Sequence, residues 1–495
     1  MSTPRLADAA RPARAALAGR GTPTLVLLVS LVLTVLAMVW SYQVKIKCGG
    51  APFFPDGRSK HFPVGDPNAI IPCYSDLMYL WVGRDINNHV FPFINGGIGP
   101  DGKLFGGSVE YPVLSGVLMW LGAIGVHSDT TFFQQSVILL VPFGLATTVM
   151  LALMTRWWVL LWAATPPLVL YSFHNWELPV VATAVGAVAV MAWGASVSPR
   201  TGQRRMSLRT SAILAAILLG IGFCLKLYPG FFVLPLAAYV LTGGAAAGAR
   251  RALDWVGAMW VGVAAALTVI AIQAPFIILG FEGWKAALQF QGKRKADVDT
   301  NSIWYWGLRH FTGGQNDTYN SLVGIASPAL ILITFVVSVY LGWRRYQQTG
   351  VYPWIGVSAS MLAGFMLFHK VHSPQYTLWI LPFFVLLRTR WPVIVAYLIA
   401  DVILDLTIFR LFAIYTSKSP MQWWVITGVN VGVWVHAALL LFLIVAFVRA
   451  PLREPLASIV AGRAGRGDPG ADSGRSTGAD PDPGAADDST APARA

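Results

Sequence analysis

Thr24 to Trp40 reads TLVLLVSLVLTVLAMVW, a run without a single charged residue. A surface helix needs a polar face, whereas a helix crossing a hydrocarbon core needs about 20 predominantly apolar residues. This run, with its flanks, is long enough for the second and has nothing to offer the first. Comparable runs recur at about 131–154, 157–173, 177–197, 209–226, 228–243, 254–280, 322–343, 352–369, 377–388, 391–411 and 422–448, so the first span, about 24–43, is one of twelve. Composition agrees: a soluble domain carries about a quarter charged residues to cover its surface, but here the share is 12% against 55% hydrophobic. The first run is not expected to be a cleaved leader, because KIKCGG follows it where a small-residue cleavage site would stand. The expected fold is an all-α polytopic membrane protein.

A formal charge of +13 over 495 residues would suit a nucleic-acid binder. That partner is excluded by the distribution, since the basic residues form no patch and instead fall in short clusters between the apolar runs. These are Arg11/Arg14/Arg20, Arg156, Arg200/Arg204/Arg205, Arg250/Arg251, Arg344/Arg345, Arg388/Arg390 and Arg449/Arg453. Cytoplasmic loops concentrate arginine and lysine. Twelve crossings put every cluster on that side, with both termini inside, and one extra crossing would reverse all later loops. The apolar segment Tyr111 to Val126, 16 residues long, must then stay on the outer face as a re-entrant or juxtamembrane helix. The short span 377–388 must cross, which neighbouring helices or local thinning allow. This divides the chain into a basic cytoplasmic segment (1–23), a transmembrane domain (24–448) and a tail (449–495). The transmembrane domain carries two large outer loops, 44–130 and 281–321. The tail, rich in Gly, Ala, Pro and Asp, is expected to be disordered.

Orientation sorts the polar residues. Asp76, Glu110, His174, Asn175, Glu177, Lys226, His369, Lys370, His372 and Gln375 all map to the outer rim, with Arg294 in the second outer loop. Ionisable groups beside hydrocarbon are costly unless paired or wet, which makes them candidates for function. Each also has a plainer reading. Asp76 can be a helix N-terminal carboxylate facing the positive end of the dipole, or a general base for an acceptor hydroxyl. Glu110 can simply open the helix after Pro112, and Lys226 can snorkel. Asn175 can cap a helix, which leaves His174 and Glu177 without a task. FHKVHSPQYTLW places two histidines and a lysine within four residues, cations on the side that lacks them, and so points to an anionic headgroup or phosphate. A metal is not expected there, for no acidic or sulfur ligand stands beside the histidines. QGKRKADVDTNSIWYWGLRH mixes basic and aromatic residues, as a sugar-stacking site or an interfacial belt would. Cys48 and Cys73 bracket the loop before Asp76 and can pair in an oxidising compartment or remain two thiols. Cys224 lies within a span as an inert thiol. Asp401 and Asp405, one turn apart within a span, are left without an assigned role.

No phosphate-binding glycine loop, dinucleotide fingerprint, nucleophile elbow or H-E-x-x-H motif is present in the sequence. The ordered set YSDLMYLW, EYPVLSG, HNWE, KLYP, NSIWYW and HKVHSPQYTLWILP resembles the actinobacterial membrane glycosyltransferases of family 87, over about residues 24–448. These are GT-C-type enzymes related to the α-1,2-mannosyltransferases of phosphatidylinositol mannoside and lipoarabinomannan synthesis. The resemblance implies a GT-C-like fold with outer-face juxtamembrane helices. It implies inverting, metal- and cofactor-free transfer of a sugar, mannose before arabinose, from a polyprenol-phosphate donor to a glycolipid or lipoglycan acceptor outside the cell membrane. It puts the acceptor base on Asp76 and the phosphate clamp on His369, Lys370 and His372, with Lys226 and Arg294 in support. Glu110, His174, Glu177 and Gln375 are the further substrate-binding candidates. The family often has Asp where this chain has Glu177. Two other classes compete with the enzyme: a lipid or glycolipid transporter, whose polar residues would line a route through the membrane, and a non-catalytic membrane scaffold.

Overall fold

A computed structural model describes residues 23–60, 68–246 and 252–462. The basic segment before Pro23, Arg250 and Arg251, and the expected disordered tail beyond Gly462 lie outside the described residues. Among the described residues the chain is all-α except for one two-stranded hairpin, and eight helices are long and apolar enough to cross a membrane.

Helix α1 (Pro23–Lys45) is the first of these. The loop after it carries α2 (Asp76–Gly83), the hairpin β1 (Gly97–Ile98) and β2 (Leu104–Phe105), and α3 (Val113–Ala123). Helix α4 (Asp129–Thr155) starts at Ser128, whose hydroxyl accepts the Thr131 amide in a reciprocal capping box. The run expected to cross in one piece at 157–173 is broken into a 3-10 turn (Arg156–Val159), α5 (Leu160–Ala163) and α6 (Pro166–Tyr171). Pro166 and Pro167 offer no amide hydrogen, and the residue before a proline is driven from helical space. Thr165 accordingly sits at φ −112°, ψ 158°. Then follow α7 (Glu177–Ala195), α8 (Leu208–Leu225), α9 (Tyr228–Phe231) and α10 (Val233–Leu241). Beyond them come α11 (Trp255–Leu279), the amphipathic α12 (Phe281–Lys293), α13 (Ile303–Trp306), α14 (Asp317–Thr349) and α15 (Trp354–Phe368). The last are α16 (Thr377–Leu386), α17 (Trp391–Ser417), α18 (Trp423–Arg449) and α19 (Leu456–Ala461).

Helices α11 and α14 leave Met259, Leu267, Ile278, Ile325, Leu332 and Val336 exposed along their lengths. An apolar belt of this extent suits hydrocarbon, not water. Inside the bundle, small residues let helices approach: a Cβ on Gly364 of α15 would lie 2.0 Å from Thr334 of α14, and one on Gly432 of α18 would lie 2.7 Å from Leu404 of α17.

The helices run between two chemically different ends. At one end Trp158 packs on Trp391 at 5.7 Å, Arg453 lies 3.5 Å over the Trp158 ring, Leu387 pairs with Leu452, and Arg204 donates to the Val460 carbonyl. Arg209, in the first turn of α8, closes on Asp254 at 2.6 Å. At the other end the polar outer-rim residues converge. Helix α3 touches only this second end: Ser115 donates to the Leu225 carbonyl at the close of α8, and Gln135 in the second turn of α4 donates to Leu121 and Ile124. Helix α3 therefore begins and finishes against the same end of the bundle.

Candidate functional site

A cavity of about 1130 Å³ occupies that polar end. Asp76, Glu110, His174, Lys226, Arg294, His369 and Gln375 all line it, although they come from widely separated segments of the sequence. Glu177 stands directly behind the wall through Lys226, whereas Lys370 and His372 are turned away.

Asp76 is the first residue of α2. Cys48 and Cys73 form a disulfide, which ties the strand leading to Asp76 to the end of α1. Ser75 donates its hydroxyl to the Phe173 carbonyl at 2.7 Å and the Asp76 amide donates to the His174 carbonyl at 2.8 Å, so this strand is docked on the turn before α7. The carboxylate does not cap its own helix. The Tyr74 hydroxyl donates to Oδ1 at 2.7 Å and the Asn175 amide to Oδ2 at 2.7 Å. Asn175 is itself oriented, since its second amide hydrogen reaches the Tyr111 oxygen at 2.8 Å and its Oδ1 accepts the Trp176 amide at 2.6 Å. Asp76 keeps 17% of its side chain exposed, toward the cavity. Burial raises its pKa above the ordinary carboxylate value, while the Tyr74 and Asn175 hydrogen bonds and the Lys226 charge pull the other way. His174 Nε2 lies 3.9 Å from Asp76 Oδ2, yet this is no ion pair. Burial, then the charges of Lys45 and Lys226, hold the imidazole well below its usual range, so it is neutral near pH 7.

Lys226 does not snorkel. It occupies the break between α8 and α9, where its backbone turns extended (φ −151°, ψ 152°), and its ammonium points inward to Glu177 Oε1. The Tyr111 and Trp379 rings lie 4.7 and 5.6 Å from Nζ, and Trp379 Nε1 donates to Glu177 Oε2 at 2.5 Å. Glu110 has a partner too. Arg84 grips it with both Nε (2.5 Å to Oε2) and Nη2 (3.1 Å to Oε1), while Phe290 faces the guanidinium at 5.2 Å. With these two cations neutralised, Arg294 and Lys295 remain on the wall with side chains that make no hydrogen bond or ion pair among the described residues, and Arg294 is the more buried of the two.

Of the four candidates in the FHKVHSPQYTLW loop, His369 and Gln375 line the cavity and Lys370 and His372 do not. His369 lines the cavity, stacked on Phe365 at 4.7 Å, with its Nδ1 against the Val371 backbone. His372 is fixed by its amide on the Thr300 carbonyl (2.6 Å) and by Nδ1 on the Met366 carbonyl (3.0 Å), and burial brings its pKa down to about 4. Lys370 donates to the Gly292 carbonyl at 3.2 Å and pins the loop to α12. Gln375 accepts from Ser373. The aromatics of NSIWYW are structural: Trp304 donates to the Phe368 carbonyl at 2.9 Å, and Tyr305 and Trp306 are buried against α17 and α18.

Tyr74, Arg84 and Tyr111 complete the site without having been singled out from sequence. Tyr74 stands two residues from Asp76, and Arg84 is the nearest basic residue after it, just past the end of α2, the only signals either gives. Asp401 and Asp405 lie deeper, both fully buried: Thr377 donates to Asp401 at 2.5 Å, and the Asp405 oxygens accept no hydrogen bond from the described residues. The chain matches none of the protein-family models, characterised proteins or solved structures with which it was compared.

Proposed function

We propose that the chain is a GT-C-like membrane glycosyltransferase of the kind family 87 represents. In this reading it crosses the cell membrane twelve times, keeps both termini in the cytoplasm and works on the outer face. It transfers a sugar, mannose first among the choices, from a polyprenol-phosphate donor to a glycolipid or lipoglycan acceptor. The observation that carries the reading is the surround of Asp76: a carboxylate held by two donors, aimed into a large cavity whose wall also bears the Arg294 guanidinium, which makes no hydrogen bond or ion pair among the described residues. A base and an anion site are the two groups that such a transfer needs.

Asp76 accepts the proton of the acceptor hydroxyl as its oxygen forms the new bond to C1 of the sugar. The C1–O bond to the lipid phosphate breaks, and the phosphate leaves with the bonding pair. A phosphate leaving group needs a nearby cation more than it needs an acid, and Arg294 supplies one that can bind it in two-pronged fashion. Part of the lining suits the lipid: Leu227, Ile270 and Leu288 line the cavity and are exposed, an aliphatic stretch on the elements that also carry the apolar belt. The gathering of polar residues at one end favours an enzyme over a transporter, which would need them along a route between the two ends.

The test is transfer itself. Vesicles holding the purified chain and tritiated polyprenyl-phosphate mannose should move label to added glycolipid, and label that stays on the donor would sink the reading. Comparing the envelope glycolipids and lipoglycans of a deletion strain with those of its parent would then identify the acceptor.

A further inference from the structure

Helix α17 carries a second set of ionisable groups below the cavity. Tyr397, Asp401, Asp405 and Phe409 follow at intervals of four, so they share one face of the helix, each about 6 Å from the next. Phe409 lines the cavity, and the others descend into the bundle. Asp401 and Asp405 are both fully buried, yet their oxygens are treated differently. Thr377 donates to Asp401 Oδ1, whereas Asp401 Oδ2 and the hydroxyl of the adjacent Tyr171 are buried without a hydrogen bond. Both oxygens of Asp405 also lack one among the described residues, and the cation acting on them is Lys45 of α1. Lys45 is 1% exposed, its ammonium sits 5.8 Å from the Phe409 ring, and it makes no hydrogen bond or contact ion pair among the described residues. Native interiors pair nearly all such groups, so a cluster of unpaired ones calls for a bound proton, water or ion.

Charge counting decides which. Among the described residues, Lys45 is the one cation acting on Asp405, and none acts on Asp401. Arg410 on the same helix turns away to the Ala69 carbonyl and the Trp424 ring. His174 is neutral, and His436, whose Nε2 lies 3.3 Å from the Tyr397 carbonyl, has no carboxylate beside it to hold a charge. Two ionised carboxylates against one ammonium would bury a net negative charge, a state that buried acids escape by neutralising. We propose that Asp401 is a proton-holding site, with the proton on Oδ2 directed to the Tyr171 oxygen, and that ionised Asp405 is the counter-charge of Lys45. The hydrogen bonding fits, since a carboxylic acid accepts at one oxygen, here from Thr377, and donates from the other. The file ends at Tyr397, which packs on Phe384 and through it on Phe447, so it is a closed site and not a route through the bundle. One turn above Asp405, Phe409 stacks on Tyr74 at 4.7 Å, and Tyr74 donates to Asp76. The site is thus the footing of the cavity carboxylate. Only its use in catalysis rests on the transferase reading.

Infrared spectroscopy of the full chain in lipid nanodiscs counts protonated carboxyls by their C=O stretch, and difference spectra against wild type cancel the acidic residues elsewhere. Asp401→Asn, a neutral isostere, should lose one carboxyl signal. Lys45→Met should gain one, because Asp405 without its counter-ion takes a proton in turn. Lys45→Met combined with Asp405→Asn should match wild type, since the ion pair is removed whole and Asp401 keeps its proton. Circular dichroism at wild-type helix content shows that a variant has folded, and Asp401→Asn with the double variant decides the matter if Lys45→Met alone does not fold. An Asp401→Asn spectrum equal to wild type overturns the proton, and a Lys45→Met spectrum equal to wild type overturns the pair. A wild-type carboxyl signal present in choline buffer and absent in sodium buffer assigns the site to sodium and overturns it as a proton site. None of these spectra involves donor or acceptor. A protein that passes them but moves no label from polyprenyl-phosphate mannose fails the transferase reading alone, and the reverse result fails the site alone.

Discussion

Replacing Glu177 by Gln removes one charge and almost no volume, which isolates the electrostatic part of the wall behind the cavity. The Lys226 and Glu177 side chains are 8% and 0% exposed. Two unit charges about 4 Å apart attract by roughly 4 kcal/mol at an effective dielectric near 20, and this pair is in direct contact. Removing one member of a buried pair costs about 3–5 kcal/mol, because the survivor is left buried without its counter-ion. The amide oxygen of the Glu177→Gln variant would still accept from Trp379, and the Tyr111 and Trp379 rings would still face Nζ, so the lower part of that range applies, about 3 kcal/mol. Adding Lys226→Met should recover most of the loss, since the methionine fills the same space without a charge. Unfolding in mixed micelles by titration with dodecyl sulfate, followed through tryptophan fluorescence, would measure both and close a double-mutant cycle. A Glu177→Gln variant within about 1 kcal/mol of wild type, or a double variant no more stable than the single one, would refute the claim that Lys226 is a buried, paired cation.

Three further outcomes follow from the same geometry. Tyr74→Phe and Asn175→Ala each remove a hydrogen bond that favours ionised Asp76, so its pKa should rise further. A base works only when ionised, and activity is lost as pH falls through that pKa, so the acid limb of the rate–pH profile should move to higher pH in both variants; a limb that stays in place argues that another group is the base. Arg294→Gln should raise the donor KM by roughly 10- to 100-fold, the worth of a hydrogen bond to a charged group, while Lys370→Gln changes it little. The reverse order would return the phosphate clamp to the FHKVHSPQYTLW loop. Exchanging Cys48 and Cys73 for Ser should lower unfolding stability by about 3 kcal/mol through the loop closed over 25 residues, and should lower transfer more than it changes overall helix content by circular dichroism.

Much of this arrangement was legible in the sequence, for a definable reason. Arginine clusters give the side of a membrane that a loop is expected to occupy, and the residues grouped by that expectation include Asp76, Glu110, His174, Lys226, Arg294, His369 and Gln375, which line one cavity. Side does not report direction around a helix or within a loop. Lys370 and His372 belong to the same loop as His369, yet one pins that loop to α12 and the other is buried under it. Nor does side report pairing: Glu177 meets Lys226 across 49 residues, and Arg84 meets Glu110 across 26. Those pairings decide which cations on the wall lack a partner among the described residues, and they leave Arg294 and Lys295 instead of the histidine loop. The break in the run at 157–173 is a different case, because Pro166 and Pro167 were visible there and hydropathy alone passed over them.

The central claim is that the Asp76 carboxylate takes the acceptor proton. Its most direct test is the Asp76→Asn variant, which keeps the size of the side chain and the Tyr74 contact, assayed for transfer from polyprenyl-phosphate mannose in vesicles that hold equal amounts of wild-type and variant chain. A lost general base predicts a fall in kcat of about 100- to 10,000-fold with the donor KM preserved; transfer at the wild-type rate would contradict it.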